Sequence, residues 1–139
     1  MPTAAIDTLR PTIVLAEGEA DRLSALAIQM EHAAPLAAGM LLDEIDRAEV
    51  WPDADMPDDV VRMHSTVQFL DTAHGQRRTV LLVYPSEADI SVGKISVLTP
   101  VGAGLIGLRT GQEILWPDRD GHARPLRILK VKPPGRLDL

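Results

Sequence analysis

A chain of 139 residues has room for one domain, or for one domain with an appendage. Its composition is 45% hydrophobic but only 3% aromatic, with no cysteine, which demands an aliphatic core and excludes disulfides, thiolate catalysis, cysteine-type zinc sites and an aromatic platform for stacking bases. The net charge of −6 argues against nucleic acid as a direct partner, but it is unevenly placed: residues 1–62 carry 13 acids and 4 bases, a net −9, and residues 63–139 carry 7 acids and 10 bases, a net +3.

Such asymmetry points to two surfaces with different partners. No apolar run approaches the ~20 residues that span a bilayer. Residues 1–5 lack a charged-then-apolar signal pattern, so a cytoplasmic protein is expected. Residues 1–12 read as a loose arm. Ile13-Val14-Leu15 either pairs as a short strand or enters the first helix. From residue 18 or 19, Leu23, Leu26, Ala27 and Met30 form one apolar stripe, with Asp21, Arg22 and Glu31 outside it. Pro35 bars Ala34 from the helical region and ends the pattern. A second helix over 36–50 has the stripe Ala38, Leu41, Ile45 and Ala48, widened by Leu42. Asp43, Glu44, Asp46 and Glu49 face mostly outward, and Asp43–Arg47 is an i,i+4 pair. So tight a join predicts an antiparallel hairpin, each helix about 14 residues or about 21 Å long.

Residues 51–57, with two prolines, form a loop and a boundary. Beyond it the period changes. Val61, Met63, Ser65, Val67 and Phe69 alternate with Arg62, His64, Thr66 and Gln68, a strand with one wet face. A hairpin loop over 71–76 leads to a return strand over 77–84, whose apolar run from 80 to 83 makes it central. A polar loop over 85–93 precedes a short strand over 95–98. Thr99-Pro100 then starts a helix, with a hydroxyl to cap it and proline at its first position. Val101, Leu105 and Leu108 form its stripe, Arg109 sits at its C-terminal end and Gly111 stops it. Gly102, Gly104 and Gly107 inside this helix each cost about 1 kcal/mol relative to alanine, which a chain tolerates where backbone approaches backbone closely. Helix-on-sheet packing is the ordinary reading. A phosphate cradle is the alternative, without the Lys-Ser/Thr or the Gly-x-Gly-x-x-Gly such cradles use. A strand over 112–116, a turn over 117–121, a closing strand over 126–132 and a tail from 133 complete an antiparallel sheet covered by one short helix.

Little in the chain suggests chemistry of its own. His32, His64, His74 and His122 lack a second histidine or a carboxylate at metal-ligand spacing. Asp53, Asp55, Asp58 and Asp59 lack the glycine and terminal glutamate of a calcium loop. No serine sits in a nucleophile elbow. The sequence therefore offers no catalytic, cofactor-binding or metal-binding residue.

The string Ser96-x-x-Thr99-Pro100-Val101-Gly102-x-Gly104-Leu105-Ile106-Gly107, followed by Gly111, resembles the C-terminal signature of the bacterial Gre transcription elongation factor family. Met56-Pro57-x-Asp59-Val60-Val61-x-Met63 and Leu82-Val83-Tyr84-Pro85 resemble its shorter branch, the regulators of nucleoside diphosphate kinase. The resemblance runs from about residue 10 to about residue 131. It implies an α+β fold: a short antiparallel N-terminal helical hairpin, then an FKBP-like antiparallel β-sheet domain with one short covering helix. The division would be an arm and hairpin over 1–51, the Gre-type domain over 56–133 and a tail over 134–139. FKBP likeness invites prolyl isomerase activity, but Trp51, Phe69, Tyr84 and Trp116 are too few and too scattered to line such a pocket.

The resemblance also implies RNA polymerase as partner. Gre factors insert a long coiled coil into the secondary channel, where acidic tip residues help hold a second Mg²⁺ for transcript cleavage. Here the hairpin is short, and its turn offers one carboxylate, Glu31, beside His32. The resemblance, less that acidic tip, implies a non-enzymatic transcription regulator that binds polymerase near the channel and competes with Gre factors without transcript cleavage. The alternatives are a weak cleavage cofactor using Glu31 as a ligand, and an adaptor regulating nucleoside diphosphate kinase. Candidate partner contacts are Glu31 and His32 at the turn, and Leu98, Thr99 and Pro100, where Gre factors grip the channel rim. Leu98 stands where those factors carry an acid, shifting that contact from charge to apolar packing. No cofactor, membrane or sequence-specific nucleic acid is implied, and the hairpin stripe could pack within the chain or against a second copy.

Overall fold

The computed structural model describes residues 11–72, 74–117 and 123–134. Residues 1–10 of the predicted arm, Ala73, residues 118–121 of the predicted turn, His122 and residues 135–139 of the predicted tail lie outside them. The chain enters through β1 (Val14–Ala16) directly into α1 (Glu17–Gln29), whose first turn carries Glu17 and Glu19 at the positive end of the helix dipole. A tight turn leads into α2 (Pro35–Arg47), with proline at its start. Each helix has 13 residues. The second ends three residues short of expectation because Ala48 is extended, with ψ 150°, and 49–51 become β2 (Glu49–Trp51). β2 pairs parallel with β1, Val14 opposite Glu49 and Ala16 opposite Trp51, so the apolar run at 13–15 does pair. This clasp joins the two ends of the hairpin at its base.

The remaining strands are β3 (Thr66–Asp71), β4 (Gln76–Val83), β5 (Lys94–Ser96), β6 (Glu113–Pro117) and β7 (Ala123–Lys132), in the spatial order β5-β4-β3-β7-β6. The sheet is mixed rather than antiparallel throughout. β5 runs parallel to β4, with Leu81 opposite Lys94 and Val83 opposite Ser96. Tight 3₁₀ turns at Pro85–Glu87 and Ile90–Val92, and Gly93 at φ +78°, carry the chain back along the edge. β4 is thus second from the edge, and β3 is central. β3 also starts later than the alternation suggests, because His64 adopts a left-handed φ of +68° and residues 62–65 form a turn. The alternation still governs burial: Val61, Met63, Ser65, Val67, Phe69 and Asp71 are all buried.

The covering helix, α3 (Pro100–Leu105), ends sooner than expected. Ile106 is extended and Gly107 turns at φ +81°, so Leu108, Arg109 and Gly111 lie beyond the helix. Leu108 is buried all the same, and Arg109 reaches Asp59 at 3.3 Å. The hairpin stripe (Leu23, Ala27, Ala38, Leu41), the inner sheet face (Val67, Phe69, Leu82, Ile128) and Leu105 of α3 form one continuous core. Glu44, expected outside, is buried on α2 and held by Arg47 at 2.7 Å. Arg47 therefore serves Glu44 rather than Asp43, and its Nη1 donates to Pro11 O. On the opposite sheet face, the register sets cross-strand rows whose members are exposed or half-exposed: Lys94, Leu81, Thr66 and Lys132, then Thr79, Gln68 and Lys130, then Arg77, Leu70, Arg127 and Glu113.

Candidate functional site

The hairpin turn is built by backbone bonds. Met30 N donates to Leu26 O at 3.0 Å and Ala34 N to Met30 O at 2.8 Å, after which Pro35 opens α2 without needing a partner for its nitrogen. Glu31, His32 and Ala33 project into solvent. Ile28 and Leu36 flank them, 60% and 69% exposed. The turn presents one carboxylate, one imidazole and two aliphatic side chains. Among the described residues no group of three or more histidine, aspartate or glutamate side chains could hold a metal ion.

The second candidate segment is a network in which each residue has a structural task. Ser96 Oγ accepts from Leu98 N at 3.0 Å. Thr99 Oγ1 donates to Ser96 O at 2.7 Å and accepts from Gly102 N at 3.1 Å, capping α3. Pro100 follows at the first helical position. Gly102 lets the helix lie on the strand end, since a Cβ there would stand 2.1 Å from Ser96 O. This close approach is the reason for the glycine, and it supports helix-on-sheet packing over a phosphate cradle. Thr99 and Pro100 are half-buried, but Leu98 is only 9% exposed and belongs to the core. Leu98, Thr99 and Pro100 thus form one turn, and Glu31 and His32 another. α2, which follows Glu31 and His32, packs on α3, which follows Leu98 and Thr99.

A polar seam between α1 and the sheet was not anticipated. Glu19 is buried, 3.3 Å from Arg62, and accepts from Met63 N at 3.4 Å. Burial pushes its carboxyl pKa above the ordinary value, opposed by Arg62 and by the Met63 N–H. Beside it, Arg22 Nε donates to Tyr84 Oη at 3.4 Å. His64 lies 2.8 Å from Glu87 and edge-on to the Tyr84 ring. The His64 contact and the Tyr84 N–H hold the Glu87 carboxyl below its usual range. The seam fixes the first helix of the hairpin to the sheet. Its sequence signal was Glu19 lying one turn before Leu23, on the apolar stripe.

Residues 56–133 match the family described as transcription elongation factor, GreA/GreB, C-term, and residues 11–50 match the Rnk N-terminus. The regulator of nucleoside diphosphate kinase of Escherichia coli (strain K12) is 39% identical over 123 residues, covering 88% of this chain and 90% of that protein. The transcription elongation factor GreA of Bartonella tribocorum is 31% identical over 131 residues, covering 88% of this chain and 83% of that protein. A solved prokaryotic transcription elongation factor GreA/GreB from Nitrosomonas europaea superposes with a TM-score of 0.68 at 37% identity, covering 88% of this chain and 98% of that one. These matches take in both the hairpin and the sheet, and the chain belongs to the GreA/GreB transcription elongation factor family, with the regulators of nucleoside diphosphate kinase among its relatives.

Proposed function

We propose that this chain is a non-enzymatic transcription regulator that binds RNA polymerase near its secondary channel and competes with Gre factors without stimulating transcript cleavage, as a cytoplasmic protein. The observation that carries this reading is a Gre-type body bearing a short hairpin whose turn has Glu31 as its one carboxylate. Two-metal catalysis needs several hard oxygen ligands converging on the cations. A single carboxylate in a turn between helices of 13 residues, each about 20 Å long, supplies neither the ligand count nor a long reach. The hairpin of the N-terminal unit over 1–51 enters or covers the channel mouth, and the sheet unit over 56–133 docks on its rim through Thr99 and Pro100. Leu98 contributes by packing beneath them.

The test is displacement of a labelled Gre factor from core RNA polymerase, with cleavage of backtracked RNA read in the same tube. Displacement without cleavage is expected. Cleavage that Glu31→Ala abolishes would establish the cofactor reading instead, and failure to displace would overturn polymerase docking. For the rim contact the informative variant is Pro100→Asp, since an acid in the first turn of a helix is well tolerated, and it should weaken displacement. The 39% identity to a regulator of nucleoside diphosphate kinase favours a second reading, an adaptor acting on that enzyme's level. Unchanged kinase abundance on deleting and overexpressing this chain would remove it.

A further inference from the structure

The mean acidity of the chain hides one face of opposite sign. Strand register places Arg77, Lys94, Arg127, Lys130 and Lys132 on the sheet face opposite the helices. Among the described strand residues of that face one is an acid, Glu113, which lies 3.1 Å from Arg127, and Glu87 stands close enough to Lys94 for their charges to interact. Arg77 and Lys130 have no salt bridge among the described residues. Between the cations stand Thr66, Gln68 and Thr79, which offer hydroxyl and amide donors, along with Leu70 and Leu81.

We propose that this face binds the phosphodiester backbone of single-stranded RNA without reading its sequence. Three features favour that occupant. Arg77 and Arg127 sit two strands apart, about 10 Å, and Lys130 and Lys132 two residues apart, about 7 Å, so the charge is spread over a broad, shallow surface rather than gathered into a pocket. Arginine and lysine mixed with threonine and glutamine is the side-chain set that contacts phosphate and sugar. The described residues of the face include no aromatic side chain, so bases have nothing to stack on and sequence preference should be weak. The choice of RNA over other polyanions rests on the polymerase reading, since a factor at the enzyme's channel works beside its transcript.

The experiment is fluorescence anisotropy of the full chain with labelled oligouridine and oligoadenosine of about 12 nucleotides, across a salt series. Both should bind alike. The slope of log K against log salt should be at least as steep as about −1.4, the value for two phosphates neutralised on a single strand, those met by Arg77 and Lys130. Arg77→Gln combined with Lys130→Gln, both at exposed positions, should make the slope shallower by about 1.4. No binding, or binding that the double variant leaves unchanged, would overturn the proposal. So would competition by polyglutamate equal to that by RNA, which would mark the face as a dock for an acidic protein, and so would a preference for duplex. Displacement of a Gre factor by the same variant separates the two readings: loss of RNA binding with displacement intact counts against this face alone, and intact RNA binding without displacement counts against polymerase docking alone.

Discussion

Gly102 carries a sharp steric constraint. A methyl group there would fall 2.1 Å from Ser96 O and 2.9 Å from the Val97 Cα, and neither atom belongs to a side chain that can swing away. Gly102→Ala is expected to destabilise the protein by about 3 kcal/mol through forced separation of α3 from the strand end, measured by urea unfolding; a cost within error of zero would mean that the helix lifts freely. Glu19 makes a different kind of prediction. Its folded-state pKa lies above 4.5, so between 4.5 and that higher value the folded chain keeps a proton that the unfolded chain has released. Stability therefore falls as pH rises through that window and levels off above it. Glu19→Gln keeps an acceptor for Met63 N, removes the buried charge and should abolish this slope with little loss at neutral pH. Glu19→Ala leaves Met63 N and Arg62 without their partner and should cost about 1–3 kcal/mol. Equal losses for the two variants would show that shape, not protonation, matters at this position.

The same division between local and distant causes explains which elements could be read from sequence. Thr99-Pro100 announces a helix start because cap and proline act within one turn, and Thr99→Ala should cost about 1 kcal/mol while Thr99→Ser restores it, followed by thermal unfolding. The two hairpin helices and the alternation from Val61 to Phe69 were legible for the same reason: periodicity is a property of neighbouring residues. The β1–β2 clasp was only half visible. Its strands have three residues each and join positions 35 apart, Val14 with Glu49, so no repeat marks them. The parallel run of β5 was invisible because strand direction is set by the path of residues 84–93, not by the composition of Lys94–Ser96. The end of α3 is not fixed by local sequence, because Gly107 and Gly111 both turn at positive φ, and only packing decides which one closes the helix. Of the candidate contacts, the sequence marked Glu31 and His32 as exposed turn residues. It left open that Leu98 points inward, since a strand-end leucine can face either way.

At the scale of the whole molecule, the hairpin cannot be an independent unit. Two helices of 13 residues are marginal alone in water, and apart from Leu23 and Leu41 their fully buried apolar residues are the alanines Ala20, Ala27, Ala37 and Ala38. Alanines bury too little area to hold two helices together, so the large side chains they rest on, Val67, Phe69, Leu82 and Leu105, must come from the sheet unit. The base is tied as well: Glu49 N donates to Ile13 O at 2.9 Å and Val14 N to Gly107 O at 3.1 Å, while Glu19 reaches across to Arg62. Hairpin and sheet should therefore unfold as one cooperative body. Native-state hydrogen exchange is expected to give the slowest amides of α1 and of β3 the same opening free energy. Leu41→Ala, which truncates a fully buried side chain, should lower both by an equal amount of about 2–5 kcal/mol. If the α1 amides instead open at a lower free energy than those of β3, and Leu41→Ala moves only the former, the hairpin detaches while the sheet stays folded, and its position in the proposed polymerase complex would then be set by the partner rather than by this chain.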